Sequence, residues 1–205
     1  MHGLFISFEG IDGAGKSTHV SRLEETFVLL GRKVVRTREP GGTPLAEKLR
    51  DLVLNESMDP MTETLLVFAA RREHIQSVIR PALESGSVVL CDRFTDATFA
   101  YQGGGRGFDL DVLQILESWV QSGLQPDVTV WFDLPPEVAS ARLTQARVPD
   151  KFESQSLEFF QRVANGYAQR QVADPARFVR LNADQTQESV WTELVAGLTS
   201  KGVLS

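Results

Sequence analysis

The sequence predicts a three-layer α/β/α fold in which a five-stranded parallel sheet lies between helices. Three observations carry that expectation. Short apolar runs recur at residues 4–8, 33–37, 87–91, 128–132 and 178–181. Segments with helical spacing separate them, and this alternation is what a parallel sheet with crossover helices requires. The run Val88-Val89-Leu90-Cys91 has no polar alternation, as expected of a strand buried on both faces.

Taken in order, the first run is followed by Gly10-Ile11-Asp12-Gly13-Ala14-Gly15-Lys16-Ser17. This fits the G-x-x-x-x-G-K-[ST] phosphate-binding loop, a P-loop, in the strand-to-helix setting that motif needs. Its glycines let backbone N–H groups converge on phosphate oxygens, and the helix beginning at Ser17 points its positive end at the same anion. Val20, Leu23, Phe27 and Leu30 give that helix one apolar face, and Gly31 ends it. The second strand, 33–37, leads into Arg38-Glu39-Pro40-Gly41-Gly42. Thr43 and Pro44 then open a helix through Leu45, Leu49, Leu52 and Val53. A longer helix is expected over 62–83, the third strand over 87–91 and a helix over 110–120. The fourth strand, 128–132, is followed by a helix opened by Pro135 that fades near Gln145. After a charged loop at 146–153 come a helix at 154–171, the last strand at 178–181 and a helix at 188–198. Tyr101 to Gly107, with four glycines in five positions, reads as a flexible loop.

Length and composition set bounds on function. A chain of 205 residues accommodates a single α/β domain, 1–205, with its own core. No apolar run approaches the ~20 residues of a membrane span, and the N-terminus enters the first strand with no basic leader. One cysteine, Cys91, excludes an internal disulfide and suits a reducing, cytoplasmic compartment. A formal net charge of -6 argues against nucleic acid as the main partner.

Ligands of such sheets bind beyond the carboxyl ends of the strands. Those ends carry the phosphate loop, Arg38-Glu39-Pro40, Asp92-Arg93, Asp133 and the segment after Leu181. In the loop, Lys16 supplies a point charge for terminal phosphates and the Ser17 hydroxyl a ligand for magnesium. Asp12 either holds the metal, its water or a substrate hydroxyl, or simply shapes the turn. Asp92 is the preferred metal residue over Asp133 because Arg93 lies beside it, and a carboxylate next to a guanidinium suits metal and phosphate together. Phe68 and Arg71 share a helix face, either as a base-stacking pair or as a core ring and a solvated arginine. Arg142, Arg147 and Lys151 form a basic segment, a lid at about 142–153 or a solvated loop. His2, His19 and His74 have no metal-ligand spacing.

Five segments together resemble bacterial thymidylate kinases: Phe8-Glu9-Gly10 through Ser17, Thr37-Arg38-Glu39-Pro40-Gly41-Gly42-Thr43, Phe68-Ala69-Ala70-Arg71, Cys91-Asp92-Arg93-Phe94 and Ala100-Tyr101-Gln102-Gly103-Gly104. The resemblance spans nearly the whole chain. It implies transfer of the ATP γ-phosphoryl group to dTMP with Mg2+, giving dTDP and ADP, by a homodimer. It places ATP on Gly10 to Ser17, Thr18 and Arg142, and magnesium on Ser17 and Asp92. It places dTMP on Arg38, Glu39, Pro40, Phe68, Arg71, Arg93, Thr98, Tyr101 and Gln102, although in some relatives the stacking ring sits one position earlier, at Val67 here. The catalytic set becomes Asp12, Lys16, Arg93, Arg147 and Lys151. The lid departs from the family pattern: Lys151 stands where an arginine is usual and Arg147 is displaced by one residue, so a bidentate fork is replaced by a point charge. A nucleotide-dependent switch, or a kinase for another small acceptor, is the alternative. The Asn-Lys-x-Asp element of a GTPase is missing from the sequence.

Overall fold

The computed structural model describes residues 3–143, 151–152 and 155–204. Strands β1 (Leu4–Glu9), β2 (Val34–Arg38), β3 (Val88–Asp92), β4 (Val128–Asp133) and β5 (Phe178–Asn182) form one sheet in the order β2-β3-β1-β4-β5. Every pairing is parallel, so the expected five-stranded sheet is observed. Chain connections leave β1 toward β2 and leave β3 toward β4. Connections from these neighbouring strands therefore run in opposite directions, the topological switch point at which such sheets bind ligands.

Side chains on adjacent strand positions separate to opposite faces. Ile6, Phe8, Val88 and Leu90 pack with Val20, Leu23 and Phe27 of α1 (Lys16–Leu29). Phe5, Val89, Cys91 and Phe94 pack with Ile75 and Ile79 from the other layer. Helices α2 (Pro44–Asn55), α3 (Pro60–His74), α6 (Leu110–Gln121), α8 (Leu157–Ala173) and α9 (Gln187–Ser200) each begin behind a side-chain cap: Thr43, Asp59, Asp109, Ser156 and Thr186. By contrast, α1 follows Gly15 in a left-handed conformation with no side-chain cap. Its first amides are left for an anion rather than for a neighbouring hydroxyl or carboxylate.

Two expectations are corrected. The helix expected over 62–83 is a composite of α3, a π-helical segment at Ile75–Ile79 and α4 (Arg80–Glu84). The glycine-rich stretch is not a loop: after the short α5 (Thr95–Thr98), Phe99–Gly105 is π-helical and packs on α8. A Cβ on Gly104 would stand 2.7 Å from the Arg162 carbonyl oxygen, and one on Gly166 of α8 would stand 2.8 Å from Ala100 Cα. These glycines serve close backbone approach, a use that composition alone does not separate from flexibility. The remaining helix, α7 (Pro136–Leu143), follows β4 as expected and starts one residue after Pro135.

Candidate active site

The phosphate loop is built around a position that only glycine fills. Gly10 has φ 131°, and a Cβ there would lie 2.5 Å from the carbonyl oxygen of Phe132 on β4. Its carbonyl turns inward and accepts from Lys16 Nζ at 3.2 Å and from Arg93 Nη1 at 2.8 Å. Burial, reinforced by the like charge of Arg93, depresses the Lys16 ammonium below its ordinary range. Lys16 also faces Asp92 Oδ1 at 3.9 Å. Ser17 and Thr18 are exposed at the start of α1, whereas Ile11 and Ala14 are buried beneath the loop. Arg142 reaches the loop from α7: it donates to Gly13 O at 3.3 Å and to Ala183 O at 3.5 Å, and stands 3.6 Å from Asp184.

Arg93 joins the two halves of the site. Its backbone is in the left-handed region, φ 69°, a conformation that non-glycine residues hold only when the surroundings over-determine it. Those surroundings are visible. The Arg93 N–H donates to Phe8 O at 2.9 Å. The guanidinium donates to Asp12 Oδ1 at 2.9 Å, Tyr101 Oη at 3.1 Å and Tyr167 Oη at 3.0 Å. Tyr101 also donates to Asp12 at 3.3 Å. Burial works to raise the Asp12 carboxyl, but the adjacent Arg93 and Lys16 charges outweigh it and bring it down to about 2. Asp12 is thus a fixed anion that orients Arg93, beyond any effect on the turn.

A pocket adjoins Arg93, lined among others by Glu39, Pro40, Arg50, Val67, Arg71 and Phe152. Thr98, Tyr101 and Gln102 also line it. Arg71 is fully buried and donates to Glu39 at 2.7 Å, Thr98 Oγ1 at 2.9 Å and Phe94 O at 3.1 Å. Its Nη1 is buried with no hydrogen-bond partner among the described residues, and Arg71 lines the pocket, so this donor is held ready for an acceptor. Glu39 is fixed from its other side by His74 Nδ1 at 2.9 Å, and His74 Nε2 lies 2.6 Å from Thr37 Oγ1.

Several expected residues lie elsewhere. Phe68 does not line the pocket. It is buried with Phe99 and Leu113, beneath the Arg71 guanidinium at 5.1 Å, and Val67 takes the pocket-side position. The helical period that put Phe68 and Arg71 on one face is obeyed, but Arg71 reaches the pocket while Phe68, one turn earlier, is covered by the core. Arg38 is not a lining residue either; it is held by Glu47 at 2.8 Å, and Arg50 from α2 lines the pocket instead. Lys151 bonds Glu63 Oε2 at 3.0 Å and the Glu56 carbonyl at 3.0 Å, on the α2–α3 side rather than at the phosphate loop. Arg147 lies outside the described residues.

The sequence reading missed Glu9, Tyr167, Glu63 and Arg50. Arg50 carried a signal, since it shares a helix face with Ala46 and Val53, the buried residues of α2. Tyr167 carried none, because α8 reaches the site only through tertiary packing. Glu9 accepts from Phe94 N at 2.7 Å and from Tyr167 Oη at 3.0 Å. Burial, with the nearby Asp96 carboxylate, pushes Glu9 up to about 8 against the pull of Arg93. Asp96 itself is wholly buried and held by Arg170 at 2.7 Å and Arg177 at 2.6 Å.

The donor set suits a magnesium ion. Asp92 Oδ1 is buried without a hydrogen-bond partner among the described residues, and the Ser17 hydroxyl lies on the phosphate loop. No cluster of three or more His, Cys, Asp or Glu that could hold a metal occurs among the described residues. Magnesium commonly takes one or two carboxylates and completes its shell with phosphate oxygens and waters, so the sparse protein contribution fits.

A family model described as thymidylate kinase matches residues 8–194. The chain is similar to thymidylate kinase from Polaromonas sp. (strain JS666 / ATCC BAA-500), 60% identical with all of both chains covered. It is 61% identical to thymidylate kinase from Albidiferax ferrireducens, covering 99% of this chain and 98% of the relative. Among solved structures it resembles thymidylate kinase from Ehrlichia chaffeensis with TM-score 0.80 and 33% identity, covering 97% of this chain and 99% of that one.

Proposed function

The chain belongs to the thymidylate kinase family, and from that premise we propose how its site transfers the γ-phosphoryl group of ATP to dTMP, giving dTDP and ADP. The observation that carries the residue roles is Arg93. One guanidinium bonds the phosphate-loop carbonyl of Gly10, the Asp12 carboxylate and Tyr101 of the acceptor pocket. A phosphoryl group passing from donor to acceptor crosses this point.

Phosphoryl transfer needs little covalent help from protein, so positioning and charge neutralisation supply the catalysis. The loop amides and the uncapped start of α1 hold the ATP phosphates, and Lys16 meets the terminal ones. Arg142, between Gly13 and Ala183, flanks the nucleoside end of ATP. Ser17 and Asp92 would hold magnesium, which when bound neutralises charge on the transferring phosphates. Arg93, kept in place by Asp12, Tyr101 and Tyr167, binds the acceptor phosphate and the charge that develops beside it. In the pocket, Arg71 Nη1 donates to the thymine O4 carbonyl, and the Gln102 amide oxygen accepts from N3–H. This donor and acceptor pair is complementary to thymine and mismatched to cytosine. Glu39 and Pro40 form the pocket floor, with Thr98 and Tyr101 beside the base and sugar.

The exposed apolar residues Met61 and Leu65 on α3 and Leu110, Ile115 and Trp119 on α6 support a homodimer built on these two packed helices. A cytoplasmic setting suits the single, buried cysteine. No described helix is long and apolar enough to cross a membrane. The activity is tested by coupled ADP release with ATP and each of dTMP, dUMP, UMP, dCMP, AMP and GMP. The expected outcome is a clear preference for dTMP, and turnover without that preference overturns the acceptor assignment.

A further inference from the structure

Glu63 is a buried acid that the reaction itself does not use. It lies in the first turn of α3, 2% exposed, where the helix N-terminus favours a carboxylate. Three groups converge on it from separate parts of the chain. Gln102 Nε2 donates to Oε1 at 3.1 Å. Arg106 Nε stands 3.5 Å from the same oxygen, and Lys151 Nζ lies 3.0 Å from Oε2. Gln102 belongs to the π-helical segment, Arg106 follows it directly, and Lys151 comes from the β4–β5 connection, between α7 and α8.

A glutamine amide has two nearly isosteric ends of opposite hydrogen-bonding sense, and its surroundings decide which end faces a ligand. Glu63, flanked by two cations, can only accept. It therefore takes the NH2 end of Gln102 and leaves Oε1 as the end for the pocket that Gln102 lines. We propose that Glu63 is a positioning residue for base selection: it locks the Gln102 amide so that the acceptor pocket presents a carbonyl oxygen, selecting a pyrimidine with an imide N–H over an aminopyrimidine. Lys151 and Arg106 keep the lock in one state by holding Glu63 as the acceptor. This rests on the reading of the pocket as the site of the dTMP base.

The test replaces the one-way acceptor with a two-way one. In Glu63→Gln the side chain keeps its shape but can accept from or donate to Gln102, so either orientation of the Gln102 amide is satisfied. Steady-state kcat/KM is measured for dTMP, dUMP and dCMP. The dTMP/dCMP ratio should fall about tenfold, the effect of one mispaired buried hydrogen bond, with KM for dTMP rising. The dTMP/dUMP ratio should stay within about twofold, because both bases carry the imide N–H and that ratio reads the 5-methyl group. A general loosening of the fold would not separate the two ratios. Gln102→Leu should lower the dTMP/dCMP ratio to a similar degree, and adding Glu63→Gln to it should lower the ratio no further. If Glu63→Gln does not fold, an unchanged dTMP/dCMP ratio in Gln102→Leu overturns the proposal. An unchanged ratio in folded Glu63→Gln overturns the role of Glu63 while the wild-type preference for dTMP stands. A wild-type chain that does not phosphorylate dTMP overturns the substrate reading and this inference with it.

Discussion

Lys16 and Glu9 are both buried at the head of the sheet, and burial acts on their charges in opposite directions. For Lys16 it lowers the affinity for a proton, yet the Asp92 and Asp12 carboxylates work to retain the charge. Lys16→Ala should reduce kcat by roughly 10²- to 10³-fold or more, because a preorganised cation at the transferring phosphates is removed. Far-UV circular dichroism should be unchanged; near-normal turnover would show that Lys16 does not stabilise the transferring phosphates. For Glu9 burial favours the neutral acid. Its carboxyl titrates at 4.5 when solvated in the unfolded chain and at about 8 in the folded one. Between those values the folded state holds a proton that the unfolded state has released, so this contribution to stability is complete below the lower value and lost as pH rises through the upper. The melting temperature of Glu9→Gln minus that of wild type should therefore rise from about pH 5 to about pH 8. A flat difference across that window would show that Glu9 is ionised throughout.

At the scale of elements, the seam between α8 and the π-helical segment sets the site's precision. It carries Tyr167 on one side and Tyr101 on the other, and both touch Arg93. The backbones approach because Gly104 and Gly166 leave room. Gly166→Ala forces the seam apart and should cost about 1–3 kcal/mol, as overpacking does. For a chain of this size that is a fall in melting temperature of about 2–4 °C per kcal/mol. The same variant should lose kcat beyond what its folded fraction explains, since the two tyrosines no longer hold Arg93 from both sides. Retained stability would show that the seam yields without strain. The sequence displayed these glycines but not their purpose. Four of them in five positions fit a loop as well as a close contact, and only the partner helix, more than fifty residues downstream, decides between the two.

At the scale of the whole molecule, the strand order gathers segments that are distant in the chain. The ends of β1, β2 and β3 bring Gly10, Glu39, Asp92 and Arg93 to one edge. Behind that edge, Asp96 ties Arg170 of α8 to Arg177 before β5, joining both halves of the sheet through one buried carboxylate. Outside it, Trp119 on α6 is 77% exposed, an unusual position for so large an apolar ring. Trp119→Glu should convert the proposed dimer to a monomer in sedimentation velocity with the fold retained; a dimer that persists would place the interface elsewhere.

The sequence by itself determined the layer architecture, the phosphate loop with Lys16 and Ser17, and the strand-end pair Asp92-Arg93. These depend on periodicity and contiguous motifs, which local sequence encodes directly. Through resemblance it also pointed to Arg71 and Thr98, which line the pocket beside Arg93. The tertiary structure decided which face of a helix meets the pocket and which meets the core. That choice set Val67 in the lining and Phe68 behind it, replaced Arg38 with Arg50, and turned Lys151 toward Glu63. It also brought Tyr167 and Glu9 to Arg93. The reason is physical: a helical period fixes which residues share a face, but the neighbour that covers that face is chosen by packing between segments far apart in the chain.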